Sequence, residues 1–339
     1  MSGGVDSSAV AALLNSTQNT CEGITLVLRK FNAGCCNEKD ILDAKKVCEK
    51  LGIPHSTADF SEGFQEYVIQ PFIHEYEIGN TPNPCILCNR YMKFGGLYDI
   101  AEKNGFDKVA TGHYARVEFD EKTGNYLLKK AKNSDKDQTY FLYFLTQKQL
   151  SMTLFPLGDY ESKDEIRQYA EANGLLNARK KDSQDICFVD GDYFEFIENH
   201  TGKKYPHGNF VDIDGNILGE HKGIIRYTTG QRKGLGLALP EPLYVKEKNM
   251  AENRVILSPE SEIFSDSLIA ENFNFICPLP QEGITAKTRY TKVETPCKCE
   301  ILDDGKVKID FERPVRAVTK GQAVVLYYGD ICLGGGKIS

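Results

Sequence analysis

A glycine-containing loop near the start of the chain, which leads directly into a helix-forming stretch, constrains the fold more than any other feature. Glycine lets a backbone approach a phosphate closely, and a helix N-terminus offers unpaired N–H groups and the positive end of a dipole. Two serines add hydroxyl donors. The loop lacks the Gly-Lys-Ser/Thr ending of the Walker type, so the sequence predicts a phosphate-binding loop of another kind. Its residues are Ser2, Gly3, Gly4, Val5, Asp6, Ser7 and Ser8.

Residues 1–193 alternate between helical and strand-like patterns, which favours an α/β domain with a parallel sheet covered on both faces. Apolar positions recur at helical spacing over residues 37–51, and this helix ends at a Gly-Ile-Pro sequence. Ser162 followed by Glu165 is a capping box that predicts the start of another helix. Residues 106–110 form a strand-like piece that enters a loop.

The glycine loop stands unusually close to the first residue of the chain. In a doubly wound sheet such a loop follows a central buried strand, but here Met1 directly precedes Ser2. We therefore expect the α/β domain to lack its usual first strand, and we interpret Met1 as an internal methionine of a longer natural chain. The intact mass of the protein from its native cell tests this interpretation, and a mass that matches a start at Met1 contradicts it.

The composition changes after about residue 194, where glycine and turn residues become frequent. A strand is predicted over residues 223–227, and from about residue 270 the pattern is all β. Three further strands are predicted at residues 284–290, around Val307, Ile309 and Phe311, and at residues 323–328. The expected domains are therefore an α/β domain at 1–193, a small central domain at 194–268 and a β-barrel at 269–339.

Composition and charge describe an ordinary soluble protein. Of the 339 residues, 41% are hydrophobic and 26% are charged, and no apolar run approaches the roughly 20 residues that span a bilayer. The chain starts without a signal-peptide pattern, so a cytosolic protein without membrane contact is expected. The net charge is -7, which means that an RNA substrate would require locally clustered basic residues. Residues 179–181 and 232–233 are such clusters, although most clusters of this kind are simply solvated.

The 11 cysteines do not form a disulfide framework, because the chain is expected in the cytosol and their spacing is irregular. Cys85 and Cys88 form a C-x-x-C sequence behind a rigid turn that contains two prolines and an asparagine. No second C-x-x-C follows, which argues against a closed four-cysteine zinc site. Cys297 and Cys299 share one face of a strand and are interpreted as buried core residues.

Several motifs occur in an order that resembles one known family, and together they cover nearly the whole chain. The loop resembles the pyrophosphate loop of the PP-loop ATP pyrophosphatase superfamily, whose members cleave ATP to AMP and pyrophosphate. The complete set resembles the tRNA-specific 2-thiouridylases of the MnmA type, which thiolate C2 of the wobble uridine in the tRNAs for lysine, glutamate and glutamine. The motifs are residues 2–8, 35–37, 81–84, 88–90, 110–114, 136–142, 185–188, 227–236 and 332–336.

The resemblance implies a Rossmann-like fold of the adenine nucleotide alpha hydrolase type and a role for each matching residue. Cys88 matches the nucleophile, and Cys187 matches the cysteine that carries the persulfide; the two can close to a disulfide after sulfur release. Leu28 and Gly112 join the loop at the ATP site. The residues matched to tRNA contacts are Asn83, Pro84, Cys85, His113, Lys136, Asp137, Gln138, Arg289, Tyr290 and Gln322. The implied partners are tRNA, ATP with Mg²⁺, and a cysteine desulfurase or sulfur relay protein as sulfur donor; a monomer is expected.

The implied chemistry suits these residue types. A uridine carbonyl oxygen is a poor leaving group until ATP adenylates it, after which a persulfide on Cys187 can attack C2 or deliver sulfide to it. The attacking thiol needs a lowered pKa, which Cys88 could obtain from the positive end of a helix that starts after Pro84. Many family members carry aspartate at the position of Cys85. With cysteine there, Cys85, Cys88 and Cys187 could instead hold a [4Fe-4S] cluster that carries sulfide.

Two other classes remain open from the sequence alone. An ATP-dependent amide synthetase shares the pyrophosphate loop, but it needs an ammonia source and has no need for Cys88 and Cys187. The other alternative is an RNA-binding protein or iron–sulfur sensor that has lost its enzymatic activity along with its first strand. ATP–pyrophosphate exchange with and without tRNA separates the synthetase, and the effect of Cys187→Ser on cellular 2-thiouridine separates the sensor.

Overall fold

The computed structural model of the chain describes residues 1–17, 19–29, 38–180 and 186–339. The α-helices are α1 (Val5–Asn15), α2 (Glu38–Leu51), α3 (Ser61–Phe64), α4 (Gln70–Glu77), α5 (Pro84–Leu87), α6 (Leu97–Lys103), α7 (Gln147–Met152), α8 (Lys163–Ala172) and α9 (Tyr193–Thr201). The strands are β1 (Gly23–Val27), β2 (His55–Asp59), β3 (Val109–Ala110), β4 (Ala115–Asp120), β5 (Asn125–Lys130), β6 (Thr153–Leu154), β7 (Gly208–Val211), β8 (Ile217–His221), β9 (Tyr244–Asn249), β10 (Arg254–Ser258), β11 (Phe264–Phe275), β12 (Ile284–Lys287), β13 (Thr295–Ile301), β14 (Val307–Arg316), β15 (Ala323–Tyr328) and β16 (Ile331–Ile338).

Parallel strand pairs form the centre of the first part of the chain. β1 pairs with β2 and β3 pairs with β6, each in parallel, and within the described ranges no strand joins the two pairs. Helices α2 and α8 pack on α1, where Val5, Ala12, Val47 and Ala170 form a buried cluster. The predicted α/β architecture and the helix over residues 37–51 are therefore confirmed, the latter as α2. The missing first strand stays a prediction.

One long helix carries the C-x-x-C sequence and changes its winding on the way. α5 continues without a break into a π-helical segment, Cys88–Gly96, and then into α6. Phe94 of this segment is fully buried and packs against Tyr98 and Phe155. Residue 96 must be glycine, because a Cβ there would lie 1.9 Å from the Phe60 ring. π-Helical turns are rare and frequently occur at functional sites.

The central part of the chain contains a four-stranded sheet with the order β8-β7-β10-β9. Its buried residues, among them Phe210 and Val255, join one core with Phe72 and Phe188 of the α/β part. The strand predicted over residues 223–227 is wrong, because the segment contains a 3₁₀ turn, Ile224–Arg226. The backbone turns at Gly223, whose φ of 108° favours glycine, and the Gly223 N–H donates to Nδ1 of His221 rather than to a strand.

The last part of the chain is a closed barrel of six strands. The order is β11-β14-β13-β12-β15-β16, and pairing of β11 with β16 closes it. The strands predicted around Val307 and at residues 323–328 are present as β14 and β15, and Cys297 and Cys299 pack in the barrel core as predicted. The β4–β5 hairpin of the α/β part extends the same sheet at β16, so the two parts are joined by strand pairing.

The expected domain limits fall close to structural elements. α9 begins at Tyr193, and β11 runs across residue 268, while the central sheet ends with β10. The division at 193 and 268 stays a prediction. Among the helices that the structure describes, none has the length and apolar character required to cross a membrane.

Candidate functional site

The glycine loop is built to present backbone N–H groups at the start of α1. Gly4 is the N-cap residue, so no side chain caps the helix there, and Gly3 adopts a left-handed φ of 69°. The hydroxyls of Ser7 and Ser8 donate to the Gly4 carbonyl at 3.2 Å and 3.0 Å. A helix start with this form suits an anion, since the N–H groups and the helix dipole both favour negative charge.

The residues predicted beside the loop lie at the carboxyl ends of two parallel strands. Leu28 follows β1 and is buried, and Gly112 follows β3. A Cβ at residue 112 would lie 2.9 Å from the Asp6 Cβ and 3.1 Å from the Ser7 nitrogen, so the loop packs directly on the glycine backbone. Ligands of open α/β sheets bind outside the carboxyl ends of the strands, which is where this loop lies.

Asp6 is held by two residues that sequence reasoning missed. The Lys163 Nζ lies 2.7 Å from both carboxylate oxygens, and the Tyr114 hydroxyl donates to one of them at 2.9 Å. Lys163 is the first residue of α8, and its side chain is 11% exposed. The helix dipole disfavours a cation in the first turn. The occurrence of Lys163 there could therefore have indicated, from the sequence, that it pairs with a carboxylate. The predicted N-cap is confirmed, since Ser162 accepts from the Glu165 N–H, but the Glu165 carboxylate accepts from the Ser162 hydroxyl rather than from its backbone as a full capping box requires.

Lys180, which the sequence placed in a basic cluster, points toward the loop rather than toward open solvent. Its Nζ lies 2.6 Å from Asp40 and 3.0 Å from Asp43, and it donates to the Gly3 carbonyl at 3.1 Å. Arg179 pairs with Glu171, and Lys181 lies outside the described residues. This cluster therefore contributes less positive surface than the sequence indicated, whereas Arg232 and Lys233 are exposed.

The C-x-x-C thiols occupy the start of the long helix. Asn83 caps it by accepting from the Cys85 N–H at 3.2 Å, and Pro84 takes the first helical position. Cys85 is exposed, while Cys88, one turn further on, is buried in the core that contains Leu28 and Phe188. The expectation of a helix that starts after the proline turn is confirmed. The helix start lies nearest to Cys85, and Cys88 must become accessible before it can react.

The Cys187 segment lies beside both the C-x-x-C helix and the end of β1. Cys187 is exposed, and its negative charge as a thiolate raises the pKa of Cys85, so the two thiols are within electrostatic range. Although Cys85 is exposed, the protein around its thiol removes water from it, and this desolvation is the larger cause of its raised pKa, which the positive charge of Lys93 opposes. Arg29 Nη1 donates to the Phe188 carbonyl at 3.0 Å, which fixes the backbone directly after Cys187.

The arrangement does not favour the iron–sulfur alternative. Within the part of the chain that the structure describes, no group of three Cys, His, Asp or Glu residues is placed to hold a metal ion. Cys85, Cys88 and Cys187 are all described, so they are not gathered as cluster ligands. Cys35 and Cys36 lie outside the described residues.

The loop matched to the target base is fastened to the barrel. Gln322 Nε2 donates to the Thr81 carbonyl at 2.7 Å, and the Thr81 N–H donates to the Lys320 carbonyl at 2.9 Å. The Thr81 hydroxyl also donates to that of Thr228 in the central part of the chain at 3.2 Å. Thr81 thus lies where all three parts of the chain meet. Gln322, expected to contact tRNA, holds the base of this loop in place.

Several other residues matched to tRNA contacts point inward. His113 is buried between Phe94 and Phe155, its Nδ1 lies 2.8 Å from the Thr111 hydroxyl, and burial lowers its pKa well below the usual range. Gln138 accepts from the Tyr114 N–H at 2.9 Å.

Asp137 and Arg289 are likewise engaged with protein groups. Asp137 is buried, accepts from the Thr139 hydroxyl at 2.7 Å and lies 3.8 Å from the Lys287 Nζ. Arg289 donates to the carbonyls of Thr229 and Ala317 at 2.9 Å and 2.8 Å, and burial lowers its pKa.

Tyr290 and Lys136 are more open. Tyr290 is 48% exposed, and its ring lies 4.4 Å from that of Phe141, whose carbonyl accepts from Asn89 beside Cys88. Lys136 is half-buried in the turn before Asp137. Exposed aromatic rings and lysines are the groups that bind unpaired bases and phosphates of RNA. The surface around Tyr290 and Phe141, next to Asn89 of the C-x-x-C helix, is therefore the surface best suited to bind RNA.

Comparison with known families covers almost the whole chain. Residues 1–191 match the family described as tRNA methyl transferase HUP domain, residues 194–259 match tRNA methyl transferase PRC-barrel domain, and residues 265–338 match Aminomethyltransferase beta-barrel domain.

Curated relatives match from end to end. The chain is 47% identical to tRNA-specific 2-thiouridylase MnmA of Clostridioides difficile (strain 630), with 100% of this chain and 96% of the relative covered. It is 48% identical to tRNA-specific 2-thiouridylase MnmA 1 of Caldanaerobacter subterraneus, with the same coverage. It is 46% identical to the MnmA of Acetivibrio thermocellus, with 100% and 97% covered. Among solved structures, NMN synthetase from Francisella tularensis matches over 60% of this chain and 76% of the synthetase chain, with a TM-score of 0.36 and 16% sequence identity.

Proposed function

The chain belongs to the family of tRNA-specific 2-thiouridylases, and from this premise we propose that it uses ATP to replace the C2 oxygen of the wobble uridine of tRNA with sulfur. The tRNAs for lysine, glutamate and glutamine are the proposed substrates. The reaction makes it a tRNA-uridine 2-sulfurtransferase, and ATP is cleaved to AMP and pyrophosphate.

The observation that carries this proposal is the hydrogen bond between Arg29 and the Phe188 carbonyl. Arg29 follows Leu28 at the carboxyl end of β1, on the nucleotide side of the domain, and Phe188 follows Cys187. The bond joins a thiol-bearing segment to the strand end at which the nucleotide is proposed to bind. An amide synthetase needs no thiol there, so the contact supports sulfur chemistry over the alternative with ammonia.

The thiols have different proposed roles. Cys187 is exposed, which suits a residue that receives sulfur from a partner and carries it as a persulfide. The uridine C2 oxygen attacks the α-phosphorus of ATP and expels pyrophosphate, and the persulfide then supplies sulfur to C2 while AMP leaves with the original oxygen. Cys88, buried beside Phe188, is the proposed nucleophile that forms a disulfide with Cys187 on sulfur release. A dithiol reductant then restores both thiols.

The target uridine must leave the anticodon stack to reach these groups. We propose that residues 83–85 meet the flipped base, because they form the N-cap and first turn of the C-x-x-C helix and follow directly on the segment held at Thr81. Tyr290 and Lys136 are the proposed contacts to the surrounding anticodon loop, and the exposure of Tyr290 beside Phe141 supports its assignment. The inward-facing residues are proposed to support the tRNA-binding surface without contacting tRNA themselves. They are His113, Asp137, Gln138, Arg289 and Gln322.

The remaining partners follow from the chemistry. Mg²⁺ enters as the counter-ion of ATP, which it binds through phosphate oxygens. A cysteine desulfurase or a relay protein is the proposed persulfide donor. We further propose a cytoplasmic monomer, in which the α/β domain (1–193) performs the chemistry and the domains at 194–268 and 269–339 position the tRNA.

The test is complementation of a strain that lacks its own 2-thiouridylase, with nucleosides of bulk tRNA measured by mass spectrometry. The wild-type chain is expected to restore 2-thiouridine derivatives, and Cys187→Ser is expected to restore none. Cys21→Ser is the matched control, because Cys21 is a half-buried thiol away from the site. Unchanged thiolation by Cys187→Ser contradicts the proposed sulfur route, and a lack of thiolation by the wild type contradicts the function.

A further inference from the structure

Asn177 reaches the glycine loop from the segment that follows α8. Its Nδ2 donates to the carbonyls of Gly3 and Gly4 at 3.0 Å and 3.2 Å, and it lies 2.6 Å from the Ser8 hydroxyl oxygen. The residue is 5% exposed. We propose that Asn177 is a positioning residue that holds the loop in the conformation that accepts the phosphates of ATP. The inference rests on the proposed ATP-dependent function and goes beyond it by naming what sets the loop's shape.

The direction of the peptide planes explains how Asn177 acts. In a planar trans peptide, the carbonyl and the following N–H point in opposite directions. Drawing the Gly3 and Gly4 carbonyls toward Asn177 therefore turns the N–H groups of Gly4 and Val5 away from it, toward the open end of α1. These are the groups that an anion at a helix start contacts. Without Asn177, the flexible Gly3–Gly4 peptide has other orientations available.

The other end of the Asn177 amide shows that the position does not serve packing alone. Its Oδ1 is buried without a hydrogen-bond partner among the described residues. A buried acceptor without a partner is unfavourable, and an apolar side chain of similar size would avoid that cost next to buried Leu175 and Ala178. The favourable contribution of the Asn177 side chain comes from its donor end, whose hydrogen bonds to the described residues all reach the loop. Lys180 supports the same Gly3 carbonyl at 3.1 Å.

Asn177→Leu tests the proposal, with Asn173→Leu as the matched control. Asn173 is also an asparagine whose Nδ2 donates to a backbone carbonyl, that of Tyr169 at 2.8 Å, but it is exposed and does not contact the loop. Calorimetric titration of the full chain with MgATP gives Kd, and steady-state thiolation gives KM for ATP and for tRNA. Asn177→Leu is expected to raise Kd and KM for ATP about tenfold or more, with KM for tRNA unchanged. Asn173→Leu is expected to match the wild type.

Asn177→Asp gives a second readout that a purely structural role does not produce. A carboxylate there is buried and faces three oxygen acceptors, which raises its pKa against the opposing charge of nearby Lys180, and its protonated form regains a donor. The ratio of its Kd for MgATP to that of the wild type is therefore expected to fall as the pH drops from about 8 to about 6. This series decides the matter if Asn177→Leu does not fold.

Two results overturn the inference. Wild-type affinity for MgATP in folded Asn177→Leu refutes it while leaving the proposed function intact, and so does a Kd ratio for Asn177→Asp that stays constant with pH. A wild-type chain that does not bind MgATP overturns the proposed function together with this inference.

Discussion

Replacement of Lys163 by methionine removes the cation that neutralises Asp6 at the start of the glycine loop. The Nζ lies 2.7 Å from both carboxylate oxygens, and the two side chains are 11% and 29% exposed. Hydrogen bonds to charged groups contribute about 1.5–3 kcal/mol, and loss of one partner of a buried pair costs more. Asp6 keeps the Tyr114 hydroxyl and partial access to water. We therefore expect Lys163→Met to lower the free energy of unfolding by about 2 kcal/mol.

A double-mutant cycle with Asp6→Asn isolates the pair from other effects of each change. Urea unfolding of the wild type, both single variants and the double variant is expected to give a coupling free energy of about 1–2 kcal/mol. The Lys163–Asp6 ion pair is also expected to affect KM for ATP. An Asp6 charge without its lysine repels the phosphates, so KM for ATP is expected to rise about tenfold in Lys163→Met, which corresponds to 1.4 kcal/mol. Adding Asp6→Asn is expected to reverse part of that rise.

Additive effects of the two substitutions on the free energy of unfolding would contradict a stabilising ion pair between Lys163 and Asp6, because independent residues show no coupling. A KM for ATP that is equally high in Lys163→Met and in the double variant would show that repulsion from Asp6 does not act on the nucleotide. Lys148→Met is the control, since Lys148 pairs with Glu102 at the surface, where a pair contributes little.

Three further predictions concern other parts of the chain. Lys248→Met is expected to raise the free energy of unfolding at pH 7 by about 2 kcal/mol, because burial lowers the pKa of Lys248 from 10.5 to about 8 and its buried Nζ finds no hydrogen-bond partner in the part of the chain that the structure describes. Wild-type stability should therefore rise between pH 8 and pH 10.5, and urea unfolding of the variant should lack that slope. Gly112→Ala is expected to abolish MgATP binding in calorimetry, since its Cβ would lie 2.9 Å from that of Asp6; normal binding would contradict the packing described here. Gln322→Leu is expected to raise KM for tRNA several-fold without changing KM for ATP, because it releases Thr81; an equal rise in both would contradict a role confined to tRNA.

Local sequence patterns predicted much of the fold, because the elements concerned are determined by nearby residues. Helix α2 follows from apolar positions at helical spacing, and β15 from a run of β-branched and aromatic residues. The turn at residues 223–227 was missed, because its conformation depends on His221 and Tyr227 contacts that periodicity does not show. The β4–β5 hairpin joins a barrel formed about 200 residues later, and sequence spacing contains no signal for such pairing.

The site shows the same division between local and distant causes. The glycine loop and the start of the C-x-x-C helix were predicted, because each is set by its own glycines, prolines and asparagine. Three features depend on segments far along the chain: the burial of Cys88, the pairing of buried Asp137 with Lys287, and the hydrogen bonds of Asn177 to the loop. Residues matched to a family motif therefore require the structure before a direct contact can be separated from a supporting one.

The proposed function requires one enzyme to couple ATP cleavage to sulfur transfer. The most direct test incubates the purified chain with unmodified tRNA, MgATP, a dithiol reductant and a persulfide donor, and counts AMP and 2-thiouridine in the same reaction. AMP and 2-thiouridine are expected in equal amounts. With Cys187→Ser, neither product is expected beyond the uncatalysed background. Thiolation that proceeds without ATP, or AMP formed on tRNA without any 2-thiouridine, would contradict this coupling.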